Sequence, residues 1–374
     1  MPEQRENQRA SGRATVILTG GGTGGHVFPA LAIAERLRQE RPDIQLVYAG
    51  TKGRVEEKIV PPLGYRFVSI WISGLQRGAV VGNLLLPLKI MVSLIQSFLL
   101  MARWKPAVVA GTGGYVCGPV LFAASVLGIP TVLHESNSYP GVTTRLLAGR
   151  VSRLYLGFDD AKRWLPGVRS AATVGTPVRV FEKVSRSKGC EAFGLNQEKR
   201  VLLVLGGSQG AAAINEAILQ NLESLERGHI QLIWQTGERH FPRVERALGT
   251  RRVGWVGPFI TAMDRAYAAA DLVVCRAGAT TLAELAAAAK PAVLIPYPHA
   301  AGDHQTRNAE SMVQAAAAVA IQERELGKFG SVVLDLMNDP DRRLAMSLAA
   351  SRMAKPDAAG IIAKDILALA GSTV

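Results

Sequence analysis

A glycine-rich turn between a short apolar strand and a helix is the feature that most constrains how this chain can fold. The stretch LTGGGTGGHVFPA, residues 18–30, holds five glycines, two threonines and a histidine. Residues 14–18 are apolar and partly β-branched, which predicts a buried strand, and the pattern from Pro29 onward predicts a helix. Such a turn offers the N–H donors and the positive end of a helix N-terminus to an anion.

Two other interpretations of this turn stay open. The spacing Gly20-x-Gly22-x-x-Gly25 fits a dinucleotide-binding fingerprint. The next predicted strand, 45–50, is followed by a threonine and a lysine, however, and lacks the acid that would bind a ribose. The third interpretation is a tight turn whose role is structural only.

The first half of the chain alternates predicted strands with helical patterns, which indicates a parallel, doubly wound sheet. A second glycine turn, residues 111–118, precedes a predicted helix at 119–127. The predicted strands are 14–19, 45–50, 66–71, 107–111, 131–134 and 153–157.

The pattern breaks near residue 178 in a polar stretch and then repeats its own beginning. A strand at 201–205, the turn GGSQG and a helix at 211–222 follow one another, and further strands are predicted at 231–235, 271–275 and 292–295. The length allows two domains. We therefore expect two doubly wound domains whose glycine turns face a shared cleft, because such sheets bind ligands at the carboxyl ends of their strands.

Composition narrows the function classes. Hydrophobic residues make up 48% of the chain, which excludes general disorder. The three cysteines are far apart and match no zinc spacing, so they are predicted to be reduced core thiols. The first 13 residues are polar and lack an apolar core, which predicts a disordered tail and not a secretion signal.

The net charge of +13 is concentrated in the first half. Residues 1–180 hold 21 Lys and Arg against 10 Asp and Glu, a difference of 11, and residues 181–374 hold 22 against 20, a difference of 2. This asymmetry predicts that the first half meets an anionic surface. Nucleic acid is not favoured, because the basic residues are scattered, aromatic residues are only 6% and no nucleic-acid motif is present.

The most apolar run, residues 84–102, is nearly long enough to cross a membrane. Lys89, Ser93, Gln96 and Arg103 recur on one helical face, which predicts an amphipathic helix with a wide apolar side that lies in an interface. A helix packed in the core of the α/β domain is the equal alternative. A span through the bilayer is not favoured.

The second half holds the densest set of candidate ligand groups. The strand at 271–275 ends in Arg-Ala-Gly, and a helix opens at Ala279 with Glu284 in its early turns. Its N-terminus would bind a phosphate, and Glu284 would bind a pair of sugar hydroxyls. The alternative is a capping box formed by Thr281 and Glu284. The polar loop after the next strand adds three side chains that can face the same cleft: His299, His304 and Gln305.

Several catalytic signatures are absent from the sequence. There is no GxxxxGK[ST], which excludes an ordinary P-loop nucleoside triphosphatase, and no HExxH. The one Asp-x-Asp, Asp339-Pro-Asp341, lies late in the chain and away from every glycine turn. No metal site and no cofactor are therefore predicted, and helix ends and basic side chains would hold the charge of a diphosphate.

Seven motifs, in this order and at this spacing, resemble the MurG family of bacterial transferases: GGTGGHVFPALAIAERL, GTGGYVCGP, PTVLHESN, GTPVR, LLVLGGSQGA, DLVVCRAGATTLAELAAA and DHQTRNA. The resemblance implies an α/β fold of the GT-B class, with two Rossmann-like, doubly wound domains and a cleft between them. It also implies transfer of N-acetylglucosamine from UDP-N-acetylglucosamine to the 4-hydroxyl of the undecaprenyl-linked muramyl-pentapeptide, lipid I. The product would be lipid II, for peptidoglycan synthesis.

The same resemblance implies a domain plan and partners. Residues 14–178 would form the acceptor and membrane-facing domain, completed by a C-terminal helix at 356–374, and residues 179–355 would form the UDP-sugar domain. The implied partners are the two substrates, an anionic membrane surface and other cell-wall synthesis proteins. The implied location is the cytoplasmic face of the inner membrane, where the protein would be peripheral. Nucleic acid is not among the implied partners.

Site residues carry over motif by motif. Thr23, Gly24 and Gly25 resemble donor contacts of the first turn, with His26 beside them, and Asn137 resembles a contact of the donor sugar. The other implied UDP-sugar contacts are Arg179, Ser208, Ile260 through its backbone, Ala279, Thr280, Thr281, Leu282, Ala283, Glu284 on the ribose, and Gln305. The chain departs from the family in HESNSYPG and in GATTLAE, which bears on the finer donor contacts.

The implied chemistry is an inverting displacement at the anomeric carbon, with UDP leaving. The first glycine turn would make room for the acceptor's diphosphate and the donor sugar. His26 is the candidate base because imidazole titrates near neutral pH, and a role in ordering the loop is the equal alternative. Rival functions are another GT-B nucleotide-sugar transferase or epimerase, a dinucleotide-dependent oxidoreductase, and a catalytically silent binding module.

Overall fold

The computed structural model of the protein describes residues 14–74, 84–168, 171–179, 181–207 and 210–371. The chain forms two compact units: unit 1 is Met1–Arg179 with Pro356–Val374, and unit 2 is Val180–Lys355. Each unit has its own parallel sheet. The predicted tail, residues 1–13, lies outside the described residues.

Unit 1 contains seven short, parallel strands. They are β1 (Thr15–Thr19), β2 (Gln45–Gly50), β3 (Arg66–Ser69), β4 (Val108–Gly111), β5 (Thr131–Glu135), β6 (Arg153–Leu156) and β7 (Ala171–Thr173). Their order in the sheet is β3-β2-β1-β4-β5-β6-β7. The six predicted strands are confirmed to within one or two residues. The sequence analysis missed β7, because Ala-Ala-Thr carries no alternating or continuous apolar pattern.

The helices of unit 1 connect these strands on both faces of the sheet. They are α1 (Gly24–Glu40), α2 (Val55–Ile59), α3 (Leu86–Trp104), α4 (Cys117–Val126) and α5 (Val142–Leu147), with 3₁₀ turns at Pro61–Leu63 and Asp159–Trp164. Alternate residues of β1 pack on opposite sides. Val16 and Leu18 lie in one core with Ile33, and Ile17 lies in the other with Val120. This two-sided burial explains why the strands are continuous apolar runs.

Unit 2 contains six parallel strands in the order β10-β9-β8-β11-β12-β13. Their bounds are β8 (Arg200–Leu205), β9 (Ile230–Gln235), β10 (Gly254–Gly257), β11 (Leu272–Cys275), β12 (Ala292–Leu294) and β13 (Ala318–Ala320). The four predicted strands are confirmed. The two strands that were missed, β10 and β13, are the edge strands of this sheet, where a short segment needs little apolar pattern.

The helices of unit 2 begin inside the polar stretch, where none was predicted. They are α6 (Arg186–Ala192), α7 (Ala212–Gln220), α8 (Leu222–Arg227), α9 (Phe241–Leu248), α10 (Met263–Ala269), α11 (Ala279–Ala287), α12 (His304–Gln314), α13 (Phe329–Asn338) and α14 (Pro340–Met353). The 3₁₀ turns are Ala301–Asp303 and Glu323–Lys328. Arg186 anchors α6, because its guanidinium donates to both carboxylate oxygens of Asp271 at 2.9 Å.

The last helix, α15 (Ala358–Gly371), returns to unit 1. Ile362 and Ile366 are fully buried in the same core as Val16 and Leu18. The hydroxyl of Tyr155, on β6, donates to the Asp365 carboxylate. Unit 1 is therefore built from two separate parts of the chain.

Both sheets have a switch point, where neighbouring strands lead to connections in opposite directions. In unit 1 it lies between β1 and β4, which are the strands that end in the two glycine turns. In unit 2 it lies between β8 and β11, which end in Gly206-Gly207 and Arg276-Ala277-Gly278. Loops at such points are the usual ligand sites of open parallel sheets.

Helix α3 presents its apolar side outward. Leu88, Met91, Ile95 and Leu99 are 43–64% exposed and fall at spacings of three, four and four, on one helical face. In the part of the chain that the structure describes, α3 is the one helix long and apolar enough to cross a membrane by length and composition, a test that buried helices of soluble proteins also pass. Only 22% of its apolar window is buried.

Most polar residues of α3 face the protein, and Arg103 near its end is exposed. Ser93 and Ser97 are fully buried, and their hydroxyls donate to backbone carbonyls of the same helix at 2.8 and 2.7 Å. The Lys89 ammonium donates to Ser73 Oγ at 3.0 Å, and Gln96 Oε1 accepts from the Trp71 N–H at 2.7 Å. The core-helix alternative is therefore wrong for the exposed apolar face described above, and it holds at the end of the helix, where Leu100, Met101 and Trp104 lie in the core.

Candidate functional site

The two glycine turns of unit 1 touch each other. A Cβ on Gly114 would lie 2.3 Å from the Gly21 carbonyl oxygen, and one on Gly20 would lie 2.2 Å from Thr112 Oγ1. Gly22 has φ +89, and a Cβ there would meet the Tyr115 ring at 2.8 Å. Neighbouring atoms of the protein therefore leave no room for a side chain at these three positions. At Gly25, in contrast, the nearest atom to an added Cβ is 3.6 Å away, so this exposed position has room.

A buried acid supports the first turn from behind. Glu56, on α2, is 0% exposed, and its carboxylate accepts from the Gly22 N–H at 3.2–3.3 Å and from the Thr51 N–H at 3.0 Å. The Tyr48 hydroxyl donates to the Gly20 carbonyl at 2.6 Å. The turn that the sequence offers as an anion site therefore already donates one N–H to an internal anion.

His26 is the third residue of α1 and is bound twice to Thr112. Its Nδ1 lies 3.1 Å from the Thr112 carbonyl oxygen, and the Thr112 hydroxyl donates to the His26 carbonyl at 2.6 Å. A carbonyl oxygen can only accept, so Nδ1 carries the ring proton and Nε2 is the basic nitrogen of the neutral ring. Both interpretations of His26, as base and as part of the loop's order, fit this geometry.

Glu135 ends β5 and organises the loop that follows. It is 3% exposed, and Oε1 accepts from the backbone N–H and the side-chain amide of Asn137 at 3.0 and 3.1 Å. Oε2 accepts from the Gly141 N–H at 2.9 Å and the Thr144 hydroxyl at 2.6 Å. The amide of Asn137, a predicted donor-sugar contact, is therefore held in a fixed direction and half-buried.

His134, next to Glu135, is structural. It is fully buried, and Nε2 donates to the Gly175 carbonyl at 2.9 Å. The Ser136 hydroxyl lies 3.3 Å from Nδ1 and donates a hydrogen bond to it. Burial lowers the pKa of His134 to about 4, so this imidazole stays neutral and ties the end of β5 to the GTPVR segment.

Two further predicted contacts of unit 1 lie at its surface. Thr23 is the N-cap residue of α1, without a capping hydrogen bond from its side chain, and is exposed. Arg179 is exposed as well. The Arg179 guanidinium lies 5.9 Å from the centre of the Phe28 ring, which keeps it beside α1.

In unit 2, helix α11 begins at the predicted position. Its N-cap is Gly278, with extended φ and ψ, so Ala279, Thr280 and Thr281 are its first three residues. Their N–H groups precede the first intrahelical bond, which the Leu282 N–H makes to the Gly278 carbonyl at 3.0 Å. The capping-box alternative is wrong, because Thr281 lies inside the helix and Glu284 lies in its second turn.

The side chain of Glu284 is held by a phenol. The buried hydroxyl of Tyr267, on α10, donates to Glu284 Oε2 at 3.1 Å. Glu284 also acts on Cys275 at the end of β11: burial first, and then the nearby Glu284 charge, raise the pKa of this thiol to about 12. Leu282 differs from its neighbours, since its side chain is 2% exposed and its N–H is already bonded within the helix.

An amide supports the turn after β8. Gln235, the last residue of β9, donates to the Gly207 carbonyl at 3.1 Å and accepts from the Ile260 N–H at 2.9 Å. A ligand recognised through the backbone of Ile260 would therefore use its carbonyl or displace Gln235. Ser208, a predicted contact in the same turn, lies outside the described residues.

The loop after β12 is fixed at both ends. The Tyr297 N–H donates to Gln305 Oε1 at 2.9 Å, and the fully buried Asn308 amide donates to the Ala277 carbonyl at 3.2 Å. Arg276 faces the protein, since its guanidinium lies 2.6 Å from a carboxylate oxygen of Glu323 and bonds the Ile295 carbonyl at 3.2 Å. Asn308 thus ties the DHQTRNA segment to the start of α11.

Sequence reasoning missed the residues that support these loops from within. Glu135 and Gln235 carried a signal, since each is a polar residue that ends a buried strand. Glu56, Tyr267 and Asn308 carried none, because their partners are distant in sequence. Within the described residues, no group of three or more His, Cys, Asp and Glu side chains is arranged to bind a metal ion.

Comparison with family models places both halves of the chain in one family. Residues 16–156 match the glycosyltransferase family 28 N-terminal domain, and residues 201–361 match the glycosyltransferase family 28 C-terminal domain.

Curated relatives match over nearly the whole length. The UDP-N-acetylglucosamine–N-acetylmuramyl-(pentapeptide) pyrophosphoryl-undecaprenol N-acetylglucosamine transferase of Salinibacter ruber is 46% identical over 358 residues, which are 95% of this chain and 96% of the relative. The protein of the same name from Chlorobaculum tepidum is 44% identical over 363 residues, 96% of this chain and all of the relative.

Solved structures agree. The crystal structure of Acinetobacter baumannii MurG aligns with a TM-score of 0.74 at 29% identity, over 95% of this chain and 99% of that chain. The calicheamicin glycosyltransferase CalG4 aligns with a TM-score of 0.67 over 96% of this chain and 99% of that chain, and at 15% identity it shows the fold alone.

The contact between the glycine turns predicts a contrast between two alanine variants. Gly114→Ala should lower the free energy of unfolding by at least about 3 kcal/mol, since its Cβ meets a backbone oxygen and φ is +85. Gly25→Ala should leave it unchanged or raise it by up to about 1 kcal/mol, because alanine favours a helix. Urea unfolding measures both, and equal effects would contradict the interlocked turns.

The buried His134 predicts a loss of stability in mild acid. Its folded pKa of about 4 lies below the usual value of 6.5, so between these values the unfolded chain binds a proton that the folded chain does not. Stability should therefore fall as the pH drops from 6.5 to 4, by up to about 3 kcal/mol from this group. Urea unfolding across this range should show a smaller fall in His134→Gln.

The exposed His229 supplies the control for that measurement. His229→Asn should fold normally, because asparagine tolerates the positive φ of this position. Its free energy of unfolding should then change with pH as that of the wild type does. An identical fall in wild type and His134→Gln would mean that His134 does not control the acid response.

Proposed function

The chain belongs to glycosyltransferase family 28, and we propose that it transfers N-acetylglucosamine from UDP-N-acetylglucosamine to the 4-hydroxyl of lipid I. The product is lipid II and the by-product is UDP. The observation that carries the proposal is the 46% identity over 95% of the chain to a transferase of this name. The oxidoreductase and silent-module rivals, and other acceptors for the same fold, are not favoured by these relatives.

The donor nucleotide is assigned to unit 2. The first N–H groups of α11 and the positive end of its dipole suit the diphosphate, and Glu284 suits the ribose hydroxyls. The side chains that bond the backbone of the neighbouring loops of unit 2, Gln235 and Asn308, are neutral amides. When the bond from the anomeric carbon to the diphosphate breaks, negative charge grows on the leaving oxygen, and these N–H donors stabilise it.

The acceptor is assigned to unit 1, with His26 as its base. The acceptor 4-hydroxyl oxygen attacks the anomeric carbon from the side opposite UDP, which inverts the configuration. Its proton goes to Nε2 of His26, and the Thr112 carbonyl stabilises the imidazolium through the bond to Nδ1–H. Thr112 thus sets which nitrogen is basic.

The inner part of the first glycine turn is not proposed as an anion site, although the sequence suggests one there. Gly22 donates its N–H to Glu56, and the buried carboxylate disfavours a second anion at that position. We therefore assign the acceptor to the surface formed by Thr23, Gly24 and Gly25, beyond this inner N–H, and keep these three residues as contacts of the donor sugar as well.

The remaining predicted contacts of the donor stay part of the proposal. Thr280, Thr281 and Ala283 lie in the first two turns of α11, beside Ala279 and Glu284. Asn137, Arg179, Ser208, Ile260 and Gln305 complete the set. Leu282 is assigned to packing.

The transfer is tested with purified protein, UDP-N-acetylglucosamine and a soluble lipid I analogue. Mass spectrometry should show the analogue gaining one N-acetylhexosamine, and EDTA should leave the rate nearly unchanged. Gly25→Ala should lower kcat/KM at least about tenfold while it remains folded, because its Cβ enters the acceptor surface. Gly149→Ala is the control, since an added Cβ at this position meets nothing within 4 Å.

Three outcomes would contradict parts of this proposal. Transfer to another acceptor, with none to the analogue, would overturn the acceptor assignment. Complete loss in EDTA that a divalent ion reverses would overturn metal independence. A fully active Gly25→Ala would remove the acceptor from this face of α1.

We also propose that the exposed face of α3 attaches the protein to the cytoplasmic face of the bacterial membrane without crossing it. Four large apolar side chains on this face are solvent-exposed, and Arg103 and Lys105 at the end of the helix are exposed cations. Apolar burial contributes roughly 25 cal/mol per Å², and each basic residue near an anionic surface about 1 kcal/mol. Other cell-wall synthesis proteins are candidate partners at the same membrane.

Charge on this face should abolish vesicle binding. The double variant Leu88→Glu, Leu99→Glu should no longer co-sediment with anionic vesicles, whereas Leu344→Glu, Leu348→Glu on α14 of unit 2 should bind as wild type does. Wild-type binding should weaken in high salt without vanishing, since only the charge attraction is screened. Binding by the α3 variant, or resistance of the wild type to carbonate extraction, would refute peripheral docking through α3.

A further inference from the structure

Tyr267 is a buried phenol with its hydroxyl aimed at a proposed substrate contact. It lies on α10, is 2% exposed, and donates to Glu284 Oε2 at 3.1 Å. A buried tyrosine hydroxyl needs a partner, and a carboxylate is the strongest acceptor available to it.

The ring that carries this hydroxyl is itself fixed. Phe181 meets it edge to face, with 5.2 Å between ring centres and 75° between planes. Helix α10 packs on α6, where a Cβ on Gly189 would lie 2.7 Å from the Arg265 carbonyl. The hydroxyl therefore cannot follow Glu284 if that side chain moves.

Glu284 has three side-chain torsions and lies half-buried in the second turn of α11. Ordering a side chain of this length costs free energy, and a ligand that must order it binds more weakly. A bond from a rigid donor orders the carboxylate before the ligand arrives. Removing that bond should therefore weaken the ligand without emptying the site.

We propose that Tyr267 is a positioning residue that holds the Glu284 carboxylate in the orientation that accepts hydrogen bonds from the ribose hydroxyls of the donor nucleotide. The inference rests on the proposed function, because it takes Glu284 as the ribose contact. In this proposal the effect of Tyr267 on the nucleotide is indirect and passes through Glu284. Its signature is therefore a loss of ribose preference, and not a general loss of binding.

The test compares the affinities of UDP and 2′-deoxy-UDP by isothermal titration calorimetry. The wild type should prefer UDP, and Glu284→Ala should lose that preference. Tyr267→Phe keeps the ring and its contact with Phe181, and should lower the preference about tenfold, equivalent to 1.4 kcal/mol. In Glu284→Ala, adding Tyr267→Phe should change nothing more, because the two residues act as one unit.

Tyr155→Phe is the matched control. It removes another tyrosine-to-carboxylate hydrogen bond, to Asp365 in unit 1, and should leave the preference for UDP unchanged. In turnover assays, Tyr267→Phe should raise the KM for UDP-N-acetylglucosamine with little change in kcat, whereas a loss of folded protein would lower the apparent kcat. Phe181→Leu, which keeps the hydroxyl and loosens the ring, should give a smaller loss of the same kind.

The outcomes separate the two proposals. A wild type that binds UDP and 2′-deoxy-UDP equally would overturn Glu284 as the ribose contact. A wild type that prefers UDP, with Tyr267→Phe and Phe181→Leu preferring it to the same extent, would keep Glu284 and overturn the positioning role. If Tyr267→Phe does not fold, an unchanged preference in Phe181→Leu is sufficient to overturn it.

Discussion

In both units, the loops at the carboxyl ends of the parallel strands depend on hydrogen bonds between their backbone groups and buried side chains. Turns made of glycine have few side chains of their own, and a buried N–H or carbonyl without a partner is costly. Glu56 and Glu135 supply acceptors in unit 1, and Gln235 and Asn308 supply both kinds of partner in unit 2. These four buried side chains hold the backbone of the loops at Gly22, Gly141, Gly207 and Ala277.

The two units meet this requirement with different charges. Unit 1 uses carboxylates, each bonded to N–H or O–H groups, and so carries buried negative charge under its loops. Unit 2 uses amides under its loops, and the Glu284 carboxylate lies in the second turn of α11. A nucleotide brings two phosphates, so the unit with neutral supports and a helix N-terminus is the better place for it.

Much of this arrangement could be predicted because it is local. The strands were readable as apolar runs, and Gly278 before Ala279 marked the start of α11. The sequence left open which face of α3 packs on the protein. Both faces hold apolar residues, and only tertiary contacts decide which face is buried. The bond from Tyr267 to Glu284 could not be read either, because helical spacing shows which residues share a face and not which neighbouring helix meets them.

Helix α15 has a consequence for the order in which the molecule is made. All of unit 2 is encoded before the codons of Ile362 and Ile366, which fill a core begun by Val16 and Leu18. Unit 2 therefore holds all of its residues in one continuous segment, whereas unit 1 keeps an open apolar surface until α15 has been made and packs on it. A premature stop codon in the last twenty or so codons would thus damage the half of the protein encoded first and leave its neighbour folded.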